Sequence, residues 1–415
     1  MQKPSRRARV ALLAGCATLA VAAPASAAPS GTFDAATGTV AVTYSDTDEV
    51  TLTEAGGAVA LNGAAIPGAA AAQVKAITVT EQAGGATANK VDLSGIGAAA
   101  FPQLASTTIR AGAGVDTLIG TQRADRVIGG TQDDAMDGQG GDDTLVWNPG
   151  EGSDAMDGGL GSDTIENNGG NNDENFKASP LPGGGVRFER VSPAPFVLTT
   201  SNAERLVNNM NGGNDTFTAD LGLAPLIVST INGGDGNDDI TGTDGNDTLN
   251  GGAGDDKVNG ARGNDAMNGD DGDDLLIWNN GDGSDRFEGG AGTDVAQDNG
   301  APAGDRFVVT ANNGRVSAVR TNLGLFFLDI GSSETLDING LAGDDSVEVG
   351  PGLGALIKVD IEGGDGNDTT STRNDSAERI NGGPGQDAAV ADATDELADV
   401  ESADVPQAAP AAPAA

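Results

Sequence analysis

The chain contains no histidine, and its one cysteine, Cys16, lies near the start. Without histidine there is no HExxH zinc protease and no Ser-His-Asp triad, and beyond Cys16 there is neither a thiol nucleophile nor a disulfide. Any metal must be held by oxygen, which selects hard cations such as Ca²⁺ or Mg²⁺. Aromatic residues make up 3% of the 415 positions, and 22 basic side chains stand against 62 acidic ones. Such a chain repels nucleic acid, whose binders carry basic patches, and attracts cations. No apolar run is long enough to cross a bilayer comfortably, so no membrane span is expected.

The first 27 residues read as a signal peptide. Lys3, Arg6, Arg7 and Arg9 form a basic start, an apolar run follows from Val10 to Ala23, and "ASA" at Ala25–Ala27 sets cleavage after Ala27. "SRR" at Ser5–Arg7 resembles a twin-arginine signal, although Arg9 stands where an aromatic residue is usual. "LAGC" at Leu13–Cys16 resembles a lipobox that would anchor the chain through Cys16. Both rank below plain secretion. Removing the peptide leaves 18 basic side chains against 62 acids, a net charge of −44. A secreted, extracellular chain is expected.

Glycine is abundant, at 65 residues, and it is periodic. Nonapeptides starting at 233, 242, 251, 260 and 269 place acids at Asp238, Asp247, Asp256, Asp265 and Asp274, and an eleven-residue step leads to Asp285 and Asp294. An earlier block, 111–165, gives Asp116, Asp125, Asp134, Asp143, Asp154 and Asp163, with the same eleven-residue step. A short block, 363–389, gives Asp368 and Asp387, with the degenerate "AERI" between them. Residues 140–165 match 271–296 at an offset of 131, so the blocks belong to a longer tandem unit. That unit places Trp147 and Trp278 at equivalent positions beside the long step, where packing is their expected role.

The blocks alternate with β-rich modules at 28–110, 166–232 and 297–362, and an acidic then Pro/Ala-rich tail follows from 390 to 415. "RFVVTANNGRVSAV" (306–319) reads as a hairpin about "NNG". Landmarks recur between modules, "AERL" at 203–206 standing opposite "SETL" at 333–336. The residues leave open whether the modules continue the architecture of the blocks or form separate sandwiches.

Each nonapeptide has one apolar residue, at its eighth position, as in Leu249, Val258 and Met267. One such residue per nine cannot form a core in an isolated repeat. Stacked rungs roughly 4.8 Å apart join them into a continuous row. The same stacking aligns the sixth-position acids, which at ~4–5 Å repel by about 1 kcal/mol per pair even in water. A cation between rungs removes that cost.

"GGDGNDDIT" and its neighbours resemble the GGxGxDxUx nonapeptide of the hemolysin-type calcium-binding (RTX) proteins. The resemblance implies an all-β chain, with right-handed parallel β-roll or β-solenoid blocks between the β-rich modules. It implies alternate repeats on opposite edges and multiple Ca²⁺ ions held by glycine-region carbonyls and all fifteen sixth-position aspartates named above. Departures occur at Arg123, which replaces a motif glycine, and at Thr370 and Ala389, which replace the apolar eighth residue. These loops are expected to bind weakly or not at all.

The expected function is calcium binding coupled to folding of the roll, without catalysis. The second reading is an adhesin, or a surface-layer or matrix component, that calcium stiffens against a cell-surface or matrix partner. A calcium-dependent enzyme acting on polysaccharide ranks third, since 13 aromatic residues give sugar rings little to stack on.

Overall fold

Each nonapeptide spends its glycine-rich half reversing direction and crosses the molecule with its last three residues, as in the strands Asp239–Thr241 and Lys257–Asn259. Three residues cannot hold a strand alone. Each pairs in parallel with the strand 18 residues on, Ile240 opposite Val258, and an eleven-residue step extends the interval to 20, Leu275 opposite Val295. One turn therefore holds two repeats, which fall alternately into two sheets of nineteen strands each among the described residues. The computed structural model describes residues 28–45, 48–82, 87–374 and 376–405. The expected signal peptide and residues 406–415 of the tail lie outside the described residues. A three-residue 3-10 turn at Ala71–Gln73 is the one helical element among those described.

The segments of different texture belong to the same stack. Thr39–Tyr44, Ala76–Glu81 and Ser106–Arg110 are parallel neighbours that lead into Asp125–Ile128. In the next segment Thr164–Asn168, Arg205–Asn209 and Val228–Asp235 carry the first sheet straight through. The second sheet there takes up a meander of Asn175–Pro180, Val186–Ser192 and Phe196–Ser201. Residues 297–362 repeat the arrangement with the sheets exchanged. The meander Arg306–Asn312, Arg315–Arg320 and Phe326–Gly331 enters the first sheet, while Val295–Asn299, Thr335–Asn339 and Lys358–Glu362 run straight in the second. The modules thus continue the solenoid. The exchange arises because the long unit crosses between sheets an odd number of times. The hairpin expected at "NNG" forms, with Asn312 opposite Arg315 and φ of 51° and 82° at Asn313 and Gly314, a turn that matches strand twist.

The core is the row between the sheets. Leu118, Val127, Leu145, Ile165, Ile240, Leu249, Val258, Met267, Leu276 and Phe287 are fully buried, each contributing roughly 1.5–3 kcal/mol as it leaves water. Thr370 and Ala389 keep the inward direction and are buried as well. Where the rhythm lengthens by two residues the interior widens, and an aromatic pair fills it. Trp147 stacks on Phe196 with ring centroids 3.8 Å apart, and Trp278 on Phe326 at 3.7 Å. Each indole N–H donates to a carbonyl of the long step, Gly152 or Gly283, at 2.8 Å.

Candidate functional site

A sixth-position acid opens each repeat strand and lies at the sheet edge, buried under the loops. The N–H of one acid donates to Oδ1 of the acid on the next rung of the same edge: Asp238 to Asp256 at 2.7 Å, Asp256 to Asp274 at 2.8 Å, Asp274 to Asp294 at 2.9 Å. This bond fixes the accepting carboxylate in one orientation. Its other oxygen, Oδ2, is buried and accepts no hydrogen bond. Leaving a buried polar atom unpaired is costly, and here the cost recurs at most rungs.

In most repeats a glycine stands first and shapes the space around that oxygen; in the fifteen repeats named above, Ala111, Pro149 and Asn280 are the exceptions. A Cβ on Gly251 would lie 2.4 Å from Asp256 Oδ2 and 2.7 Å from the carbonyl oxygen of Gly269. On Gly233 it would lie 2.2 Å from Asp238 Oδ2 and 2.3 Å from the Gly251 oxygen. A carboxylate oxygen and a carbonyl of the adjacent rung therefore face one small gap, which any larger residue would fill. Gly251→Ala is expected to cost about 1–3 kcal/mol by overpacking and to remove one bound cation per chain. Equilibrium dialysis that finds an unchanged cation count would show that this gap is not the site.

The second position largely sets whether the oxygen stays free, Gly112 being the exception that lacks a positive φ while Asp116 keeps its free oxygen. In most repeats its backbone is left-handed, with φ of 111° at Gly234 and 120° at Gly252, and even Gln139, Ala261 and Asp270 adopt 73°, 62° and 74°. In those repeats its N–H leaves Oδ2 uncapped. Thr121 and Thr243 occupy this position without a positive φ. Their N–H groups donate to Oδ2 of Asp125 and Asp247, both at 2.5 Å, and their hydroxyls donate to Oδ1 at 2.9 and 3.0 Å.

Of the fifteen expected positions, thirteen carry a buried, unpartnered oxygen: Asp116, Asp134, Asp143, Asp154, Asp163, Asp238, Asp256, Asp265, Asp274, Asp285, Asp294, Asp368 and Asp387. Asp125 and Asp247 stand apart, with both oxygens occupied. Asp215 and Asp345 have the same free oxygen and continue the same ladders, Asp215 donating to Asp238 at 2.7 Å and Asp345 to Asp368 at 2.8 Å. Their signal was the nine-residue frame in "MNGGNDTFT" (210–218) and "GLAGDDSVE" (340–348), each isolated within strand-rich sequence. Glutamate occupies the sixth position at Glu204, Glu334 and Glu401, where Oε2 accepts the last N–H of a ladder from Asp163, Asp294 and Asp387 at 2.8, 2.8 and 2.7 Å.

Without a cation this arrangement resists ionisation. Burial first, then neighbouring carboxylates, push Asp134, Asp143 and Asp265 up to about 8. Burial likewise takes Asp154, Asp215, Asp256, Asp285 and Asp345 to about 7 and Asp274 to about 6. Asp116, Asp163, Asp238, Asp294 and Asp368 are raised by the same cause. At Asp125 and Asp247, burial is opposed by the threonine bonds, and both reach about 6.

Among the described residues no three acidic side chains converge as a metal cluster, so carbonyls must complete any coordination sphere. The donors on hand are an unpartnered carboxylate oxygen, a facing carbonyl and no nitrogen or sulfur ligand. Such a set fits a hard divalent cation with oxygen ligands. Comparison with protein families finds the RTX calcium-binding nonapeptide repeat, in four copies, at residues 110–145, 229–249, 241–276 and 280–298. No curated protein matches the chain.

Proposed function

We propose that this chain, four stretches of which match the RTX calcium-binding nonapeptide repeat, is a secreted calcium-binding solenoid whose folding depends on filling its ladders with calcium. The observation that carries this reading is the set of fifteen sixth-position aspartates with a buried, unpartnered oxygen, Asp215 and Asp345 included. Calcium held between such an oxygen and the facing glycine carbonyl supplies positive charge where burial otherwise forces a proton. The chain contributes the fixed carboxylates, the glycine gaps and the apolar row that keeps the rungs in register. Binding and folding then become one event, as in other metal-dependent repeats.

Equilibrium dialysis of the chain against Ca²⁺, and separately Mg²⁺, tests this. Up to about fifteen calcium ions per chain are expected, with affinities in the ~10⁻⁶ to 10⁻³ M span of sensor and extracellular sites. Magnesium should bind poorly, because it demands near-octahedral geometry and dehydrates reluctantly. Binding of one or two ions only, or equal binding of magnesium, overturns the reading.

A catalytic role is not proposed. Trp147 and Trp278, which a sugar site would need exposed, are fully buried. The adhesin reading draws support from one feature, an apolar patch on the loop and strand start where Leu323, Leu325 and Phe327 are 54%, 78% and 41% exposed. Calcium-dependent self-association in sedimentation runs, lost in Leu325→Ser, would favour it.

A further inference from the structure

Among the described residues, four sixth-position acids of the ladders have both oxygens occupied, and each stands first in its run. Asp125 leads to Asp143, Asp163 and Glu204. Asp247 leads to Asp265 and Asp285. Glu174 leads to Asp215 and on through Asp294 to Glu334. Asp305 leads to Asp345, Asp368, Asp387 and Glu401. In these four no acid of an earlier rung donates its N–H to the first oxygen, and other groups take its place; Asp116, which heads the run to Asp134 and Asp154, instead receives the N–H of Asn89 and keeps Oδ2 free.

Local chain supplies one of the partners in these four. The second-position N–H caps the inner oxygen in all four, from Thr121, Gly170, Thr243 and Ala301 at 2.5, 2.7, 2.5 and 2.5 Å. The other oxygen takes a threonine hydroxyl at Asp125 and Asp247. At Glu174 and Asp305 it takes a guanidinium instead, Arg190 bonding to Glu174 Oε1 and Arg320 lying 3.4 Å from Asp305 Oδ1. Both arginines come from the middle strand of a meander, with side chains only 10% and 4% exposed. Each lies over the neighbouring tryptophan–phenylalanine pair at 5.1–5.4 Å. Their remaining N–H groups reach carbonyls, Ala194 for Arg190 and Leu323 and Gly324 for Arg320.

We propose that these four acids take no calcium, and that Thr121, Thr243, Arg190 and Arg320 are built-in substitutes for the ion. The first rung of each of these runs is then the calcium-independent point from which the ladder fills. This rests on the calcium reading of the open rungs. A carboxylate has about four lone-pair sites, but in these four acids the inner oxygen, which the other rungs leave free, already accepts the second-position N–H, so a cation there would have to compete with that bond. Beside a guanidinium a second cation would meet like charge at close range. Displacing the arginine would leave a buried charge unpaired, which is strongly destabilising. The two meanders therefore do a job the nonapeptide cannot: they bring a cation back to an acid 15 or 16 residues earlier.

The test compares calcium counts, by equilibrium dialysis, for the parent chain, Asp247→Asn and Asp256→Asn. Asp256→Asn should bind at least one ion fewer, and Asp247→Asn the same number as the parent. Equal losses in both overturn the proposal but leave the calcium reading standing. A parent that binds no calcium, or Asp256→Asn with no loss, overturns the calcium reading and this proposal with it. Hydrogen exchange of the parent in chelator decides independently of any variant's folding. Amides of Phe188–Arg190 and Ala318–Arg320 should exchange about tenfold or more slowly than those of Ile240 and Val258, as expected for locally stable units. Equal rates overturn the proposal.

Discussion

Removing calcium with chelator at pH 7.5 is expected to abolish most of the far-UV β signal of the repeat blocks 111–165, 233–296 and 363–389, and calcium should restore it cooperatively. Ten of the ladder hydrogen bonds join two rungs that both carry a free carboxylate oxygen. Once ionised, each such pair repels by about 1 kcal/mol at water's dielectric and by up to about 4 kcal/mol at an effective dielectric near 20. The total is on the order of 10 kcal/mol or more, which matches or exceeds the 5–15 kcal/mol net stability of a typical domain. The apolar row supplies one inward side chain for every nine residues ordered, so its gain is already largely offset by chain entropy. Circular dichroism with and without chelator checks this, and a β signal that chelator leaves unchanged would sink it.

The second large effect concerns pH in the absence of calcium. Asp134, Asp143 and Asp265 titrate near 8 in the folded chain, and Asp154, Asp215, Asp256, Asp285 and Asp345 near 7. In the unfolded chain they titrate near the ordinary value of about 3.9. Between about pH 4 and 8 the folded state therefore binds more protons than the unfolded one. Stability must then fall as pH rises through that window. The chelated chain should hold more β structure, and melt higher, at pH 5.5 than at pH 8. Protons stand in for calcium, so with calcium present the half-saturating concentration should rise as pH falls. Thermal melts in chelator at the two pH values decide it; a chelated chain more stable at pH 8 would contradict the burial of these carboxyls.

Much of this was legible in the residues. A strict nine-residue period, one acid at its sixth place and one apolar residue at its eighth admit few arrangements other than stacked rungs, and "NNG" between β-type runs specified its hairpin. Asp215 and Asp345 were harder to see, because each lies 23 residues from the next acid of its ladder and its repeat has no regular neighbour in frame. The strand-rich texture of 166–232 and 297–362 hid a continuation of the same solenoid.

What the sequence by itself determined was the period, the inward row and the oxygen-only chemistry, since these depend on residue type and spacing along the chain. Tertiary structure alone decided which acids keep a free oxygen. That choice turns on the sign of a backbone angle at Thr121 or Gly252, and on Arg190 and Arg320 returning through a meander to Glu174 and Asp305. It also decided that Trp147 and Trp278, equivalent along the chain, lie in opposite sheets. Parity of the crossings sets that outcome, and parity becomes visible only when every strand has found its sheet.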